Sequence, residues 1–350
     1  MYPKLIIDLK KYYHNLNKMI EMTRLNELSL AVVSKVFLAE QPFIDVINKT
    51  TVEYLADSHL SNLKKMKTNK KKMFLRIAQL SEVEEVVEVA NISLQSELTT
   101  IKALNKAAKN NNKVHEIILM FDLGDLREGI YYEDSYLKLV EEILTFNNIK
   151  LLGIGTNLTC YGGVIPSLEI LKRLEVIKST IETKFKLKLT LISGGNSSSI
   201  FLLEKGKLPK FINNLRIGEA LVLGRETAYG NKIKGFYDDV FLLKASIVEI
   251  KKKPSLPDGE TGMDAFGKKV IIKDQGKQRR AILAIGKQSV DKDDLIILDK
   301  SEIIGASSDH LIIDIKDQEY QIGDVLTFKL RYGGVLSLMT SPYVRKSYEK

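Results

Sequence analysis

Lys35 closes the apolar run Leu-Ala-Val-Val-Ser-Lys at positions 30–35. An amine at the end of a buried strand is a nucleophile suited to a Schiff base with a carbonyl cofactor. The position equally fits a lysine whose long stem carries its charge out to water. A second constellation is Ser-Gly-Gly-Asn-Ser-Ser-Ser at 193–199, which leads into the helical run 200–204. Its glycines let the backbone approach an anion, and Asn196 and Ser197 add donors at a helix start. The simpler reading is a Ser/Asn-capped helix after a tight turn. Arg216-Ile-Gly218-Glu219 follows, and Gly218 offers a second close approach. Arg127 sits in Asp-Leu-Gly-Asp-Leu-Arg-Glu-Gly, 122–129. A planar guanidinium on such a loop suits a carboxylate or phenolate, and a surface ion pair with Asp125 or Glu128 fits the same residues.

These groups need elements to hold them. Eight short apolar runs, at 28–34, 52–56, 73–77, 92–95, 117–122, 151–157, 189–193 and 215–217, alternate with helical patterns. The alternation predicts a parallel (β/α)8 TIM barrel, whose chemistry gathers at the C-terminal ends of its strands. Lys35, Arg127, Asn157, the 193–199 turn and Arg216 all fall at such ends. Helices are expected from Ser96, as N-cap, and over 166–185, where Leu168, Leu171, Leu174, Ile177 and Ile181 share a face. After about position 230 the runs become β-branched and punctuated by Gly, Pro and Asp, at 242–250, 269–272, 281–285, 295–298, 311–315 and 325–330. The expected division is a barrel over 1–230 and a C-terminal all-β domain over 231–350. The opening strand 4–8 has no barrel partner in this scheme and is expected to pair with the β domain.

Composition narrows the classes. The 350 residues carry 53 basic and 44 acidic side chains, a net charge of +9. Lysines number 43 against 10 arginines, and the densest run, 64–72, contains no aromatic residue. That argues for a solvated loop rather than a nucleic-acid surface. Cys160 is the lone cysteine, so no intrachain disulfide or multi-thiolate metal site can form. His14, His59, His115 and His310 are scattered along the chain, and no metal site is expected. Gly153-x-Gly155 lacks the third glycine of a dinucleotide fingerprint. No apolar run approaches the roughly 18 residues of a membrane helix, and no signal-peptide pattern opens the chain. A cytoplasmic location with no membrane partner is expected.

Taken in order, Val-Ser-Lys35-Val-Phe, Asp122-x-Gly-x-x-Arg127-x-Gly, Gly-x-Gly-Thr156-Asn157, Ser-Gly-Gly-Asn196-Ser197 and Leu-Arg216-Ile-Gly218 resemble pyridoxal-phosphate enzymes of the alanine racemase fold. The β region is similar too, through Pro257-x-Gly259-Glu260, Ala284-Ile-Gly286 and Gly305-Ala-Ser-Ser-Asp309. Within that family the details look most like the ornithine racemase branch. The resemblance implies pyridoxal 5′-phosphate held by Lys35, which would also serve as one catalytic base. It implies Arg216 at the ring nitrogen, and a phosphate cradle of Asn196, Ser197, Gly218 and the Glu219 backbone. Asn157 would lie where relatives stack a histidine on the ring. Arg127 would meet the cofactor hydroxyl and the substrate carboxylate, and Asp309 would come from the partner in a head-to-tail homodimer.

Three positions depart from alanine racemases. Phe266 stands nearest the tyrosine that supplies their second base, Ala39 replaces a phosphate-binding tyrosine, and Met120 replaces a modified lysine. Phenylalanine cannot move a proton, so Asp264 is the preferred second base, ahead of Cys160, Tyr161 and His310. The expected activity is racemisation of ornithine or a related diamino acid. The alternatives are a non-catalytic pyridoxal-phosphate homeostasis protein and an alanine or broad-specificity racemase. A decarboxylase of the same fold would need a Gly-Glu-Pro-Gly-Arg loop that the sequence lacks.

Overall fold

The computed structural model describes residues 1–264, 266–269 and 271–349. Residues Tyr12–Asp238 form one compact unit; Met1–Lys11 and Asp239–Lys350 form the other. The chain opens with strand β1 (Lys4–Asp8) in the second of these. The first unit is a closed parallel barrel of β2 (Ser29–Val33), β3 (Tyr54–Asp57), β4 (Lys71–Phe74), β5 (Ile92–Gln95), β6 (His115–Asp122), β8 (Ile149–Thr156), β9 (Leu191–Ser193) and β10 (Asn214–Ile217). The short β7 (Ile130–Tyr131) adds to β6 outside the ring. The order runs β5-β4-β3-β2-β10-β9-β8-β6, and pairing of β6 with β5 closes it. Inward side chains fill the barrel, among them Ala31, Val33, Ala56, Met73, Leu94, Ile118 and Met120. Burying that apolar surface is the main favourable term for the barrel. Met120 is fully buried there, so it acts as core.

The helices pack outside by their apolar stripes. In the helix Leu168–Phe185 the buried residues are Leu171, Leu174, Ile177 and Ile181. Leu168, expected on that face, is 54% exposed. The Ser167 hydroxyl instead starts the helix by accepting from the Ile170 N–H at 3.2 Å. The helix Leu98–Asn110 is flanked by Glu97 rather than capped by Ser96. The basic run 64–72 is not one solvated loop. It closes the helix Leu60–Lys65 and enters β4. Lys70 Nζ donates to the carbonyls of Thr50 and Val52, and Lys72 Nζ to that of Leu63 at 2.6 Å. Burial pushes both amines below the usual lysine value.

The other unit is an antiparallel sheet of β11 (Phe241–Pro254), β12 (Lys277–Leu283), β13 (Leu295–Ile297), β14 (Glu302–Ala306), β15 (Leu311–Asp314) and β16 (Val325–Leu330), in the order β13-β16-β11-β12-β15-β14. Strand β1 pairs antiparallel with β11 and parallel with β17 (Arg345–Glu349). Alternate residues of β11 and β16 are buried, as half-buried strands require. The strand expected at 269–272 does not form across its described residues. Lys269 makes one isolated bridge to Met263, and Ile271 and Ile272 are exposed with no ladder to bury them; Val270 lies outside the described residues. The sequence reading missed β14, β17 and the helix Tyr332–Thr340 of this unit, and the short β7 of the barrel unit.

Candidate active site

Lys35 begins a single helical turn, Lys35–Phe37, immediately beyond β2. Ser34 anchors that turn to the neighbouring strand. Its N–H donates to the Ala56 carbonyl at 2.8 Å, and its hydroxyl to Asp57 Oδ2 at 2.6 Å. Asp57 also accepts from the His59 N–H and from Asn62 Nδ2. Burial raises its pKa, and those hydrogen bonds oppose the rise. Below the turn Phe37 stacks on Phe43, ring centres 4.2 Å apart, and Tyr12 meets Phe37 edge-on. All three rings are fully buried. The half-buried Lys35 therefore stands on a rigid aromatic base.

Arg216 is buried at the end of β10. Its Nη2 donates to the Thr156 carbonyl at 2.7 Å and its Nη1 to the Ser193 hydroxyl. Three neighbouring strands thus meet on one guanidinium. Burial lowers its pKa to about 10; Glu128 opposes this and Arg127 adds to it.

The 193–199 turn lies beside it. The Asn196 side chain accepts from the Ser198 N–H at 2.8 Å, and its Nδ2 donates to Asn157 Oδ1 and the Leu158 carbonyl. The Ser197 hydroxyl accepts from the Ala220 N–H at 3.3 Å. Gly195 has φ +118°, and a Cβ there would lie 2.7 Å from Ser199 Oγ. A Cβ on Gly218 would come within 3.0 Å of Val33 Cβ. Glu219, next in the chain, is half-buried. Burial pushes its pKa up to about 6, while Arg225 and then Lys35 pull it down.

Arg127 lies opposite Asn157. Its Nη1 donates to Cys160 Sγ at 2.6 Å, and its Nε and Nη2 to the Glu128 carboxylate. In the opposite amide orientation the Asn157 oxygen accepts from Arg127 Nη1 at 3.0 Å in place of Asn196 Nδ2. Asp125 is not an ion-pair partner of Arg127. Its buried carboxylate accepts from the N–H groups of Cys160, Tyr161 and Val164 at 3.1, 3.0 and 2.9 Å. It thereby fixes the loop that presents Cys160.

The barrel unit thus brings together Lys35, Arg127, Asn157, Asn196, Ser197, Arg216, Gly218 and Glu219. Asp264 and Asp309 belong to the β unit. Asp264 accepts from the N–H groups of Phe266 and Lys268, both at 2.8 Å, which hold its pKa below the usual carboxylate value. Asp309 accepts from the Ser308 hydroxyl at 2.8 Å. Phe266 lies under Lys287 Nζ, 4.2 Å from the ring centre. Sequence reasoning gave no role to Asp57 or Arg225, and placed Thr156 and Ser193 in motifs without assigning their partners. Their signal is their place at strand ends or just past a glycine turn, which does not reveal their partners. Among the described residues no group of three or more His, Cys, Asp or Glu side chains could hold a metal ion. Among the described residues no helix is long and apolar enough to cross a membrane.

A closed parallel barrel with lysine and arginine at its mouth, joined to an antiparallel β unit, is the fold of the alanine racemases. Alanine racemase from Bartonella henselae, solved with covalently bound pyridoxal phosphate, is similar at TM-score 0.76 and 18% identity over 100% of both chains. Alanine racemase from Clostridium difficile matches at TM-score 0.73 and 18% identity, over 100% of this chain and 96% of its own. The family model "Alanine racemase, N-terminal domain" matches residues 7–226, and the chain belongs to that family. Among curated relatives, an ornithine racemase from Acetoanaerobium sticklandii is 51% identical over 99% of each chain. A lysine racemase from Thermotoga maritima is 38% identical over 100% of this chain and 99% of its own.

Proposed function

We propose that this chain is a pyridoxal 5′-phosphate-dependent racemase of a diamino acid, with ornithine as its substrate. The observation that carries the reading is the convergence of Lys35, Arg216, Arg127 and the glycine turns at one barrel mouth. The end-to-end identity with an ornithine racemase supports the choice of substrate.

The residues present fit the cofactor. The Thr156 hydroxyl is buried beside Arg216 with no hydrogen-bond partner among the described residues, as expected where a polar ligand group completes the site. Gly195 and Gly218 keep the floor open where a side chain would collide with Ser199 or Val33. Lys35 would hold the cofactor; Asn196, Ser197, Gly218 and the Glu219 backbone would hold its phosphate; Asn157 and Arg216 would meet its ring. When bound, the cofactor supplies an electron sink that acidifies the Cα–H bond of an amino acid. Lys35 Nζ would take the Cα proton from one face. Arg127 would orient the substrate carboxylate. Arg216, fixed by Thr156 and Ser193, holds positive charge at the mouth without serving as a ready proton donor. Asp264 is proposed as the second proton carrier, and Asp309 as the residue a second copy lends in a head-to-tail homodimer.

The test is a panel of L-amino acids that includes ornithine, lysine and alanine, read for loss of optical rotation and for solvent deuterium at Cα. Ornithine should racemise fastest, with lysine second. Lys35→Ala should abolish exchange. A strong preference for alanine, or full activity in Lys35→Ala, overturns the reading.

A further inference from the structure

Ser34, the residue before Lys35, is fully buried, and each of its polar groups is engaged. Its N–H donates to the Ala56 carbonyl at 2.8 Å, and its own carbonyl accepts from the N–H groups of Phe37 and Ala39 at 3.1 and 3.3 Å. Its hydroxyl donates to Asp57 Oδ2 at 2.6 Å. The backbone that follows is strained. Leu38 has φ +53° and Ala39 φ +48°, two successive non-glycine residues in the left-handed region. Such strain persists only where the surroundings over-determine the conformation, and it gathers at functional sites. Asp57 is a large part of those surroundings. It is fully buried at the end of β3 and accepts from the Ser34 hydroxyl, from the His59 N–H at 2.9 Å and from Asn62 Nδ2 at 3.1 and 3.2 Å. One carboxylate thus joins the end of β2, the end of β3 and the helix Leu60–Lys65. Among the described residues it makes no hydrogen bond or ion pair with Lys35, so its hold on the amine runs through Ser34.

From this geometry we propose that Asp57 is a positioning residue: through the Ser34 hydroxyl its carboxylate holds the strained turn 34–39 and so sets where the Lys35 amine stands. The proposal rests on the reading of Lys35 as the cofactor-bearing lysine. An ionised carboxylate suits the task because it accepts at both oxygens, and all its partners here donate. An asparagine offers a single oxygen and turns an NH₂ group toward a donor. No bond forms or breaks at Asp57; its contribution is geometric. A reacting group misplaced by about 1 Å can cost on the order of 100-fold in rate. The effect belongs to every step that uses the amine, so it shows in cofactor loading as well as in turnover. Groups that hold only the phosphate are untouched by it.

The test uses full-length protein with Ser34→Ala, Asp57→Asn and the two combined. Ser34→Ala cuts the link while leaving the backbone bonds of residue 34 in place. Loading of pyridoxal 5′-phosphate into stripped protein is followed by absorbance. Binding of pyridoxamine 5′-phosphate, which has no aldehyde and does not need the amine, is measured in parallel. Each single variant should load, and turn over ornithine, about 10- to 100-fold more slowly than wild type, the range expected for a displaced reacting group. KM and the affinity for pyridoxamine 5′-phosphate should hold. Amide exchange at positions 37 and 39 should quicken. The double variant should be no slower than the slower single variant, because both substitutions break one link. Wild-type loading and turnover in Ser34→Ala overturn the proposal. A parallel loss of pyridoxamine 5′-phosphate binding does so too, since it marks a merely structural role, and so does a double variant whose defect is the product of the two single ones. If Asp57→Asn does not fold, Ser34→Ala decides alone by the same loading and binding measurements. Failure of the wild-type protein to load at all would instead remove the reading of Lys35 itself.

Discussion

Arg216 on β10 donates from Nη2 to the Thr156 carbonyl at the end of β8, 2.7 Å away, reaching over β9. The same guanidinium donates to the Ser193 hydroxyl on β9. One planar donor thus ties three strand ends together at the barrel mouth. A lysine keeps the charge but cannot hold both acceptors in that geometry. Arg216→Lys should therefore fold with a lowered melting temperature, with about 1–3 kcal/mol lost through unpaired buried acceptors. It should also show an altered spectrum once cofactor is added. Thermal melts of stripped and loaded protein separate the two effects. A variant that melts and absorbs like wild type would show that the tie carries no weight.

Asp125 does for the loop 158–164 what Arg216 does for the strands. Its carboxylate oxygens receive three backbone N–H groups, from Cys160, Tyr161 and Val164. An asparagine offers one acceptor oxygen and turns an NH₂ toward a donor. Asp125→Asn should cost about 1–3 kcal/mol. Its distinctive sign should be faster hydrogen exchange at positions 160, 161 and 164, with the rest of the barrel protected as before. Uniform loss of protection would mean that Asp125 supports the whole barrel instead.

His115 gives the barrel an acid limit. It is buried at the start of β6 with Nε2 2.8 Å from the Ser93 hydroxyl. Burial lowers its pKa to about 4; Lys113 adds to the effect and Glu116 opposes it. A base with a folded pKa below its unfolded value of 6.5 binds more protons when unfolded. Its contribution is therefore fully present above about pH 6.5 and is lost as pH falls toward 4. The size is about 3 kcal/mol across that window. Melting temperatures from pH 7.5 to 4.5 should fall more steeply for wild type than for His115→Gln. Superimposable curves would show that His115 contributes nothing.

The barrel was legible because each strand is a short apolar run set between helical patterns, and because strand ends in such barrels carry the chemistry. That rule singles out Lys35, Arg127, Asn196 and Arg216 as candidates, and the order of their motifs points to the family. Their partners were not legible. Asp125 meets N–H groups 35 to 39 positions away, and nothing in its own neighbourhood marks it as a loop anchor rather than an ion-pair partner. Lys70 and Lys72 read as solvated charge because composition does not show which carbonyls wait for them across a turn. Strand β17 reads Arg-Lys-Ser-Tyr-Glu and carries no apolar signal; it forms because β1 offers a parallel edge. Ile271 and Ile272 show the converse, apolar residues left exposed with no strand among the described residues to pair with.

Glu128 turns a property of Arg127 into a kinetic prediction. The Arg127 guanidinium already donates through Nε and Nη2 to the Glu128 carboxylate and through Nη1 to Cys160. A substrate carboxylate that needs Arg127 must therefore displace a resident one. Glu128→Gln removes the competing charge while keeping the shape. Arg127 is 39% exposed at its side chain, so the resident pair is worth no more than about 1 kcal/mol. Release of that pair should lower KM for the amino acid by up to about fivefold. The kcat should change little, because the interaction removed belongs to the free enzyme. Acetate should become a better competitive inhibitor by a similar factor. If KM rises instead, Glu128 orients Arg127 for its ligand, and the resident carboxylate is part of the binding site rather than its rival.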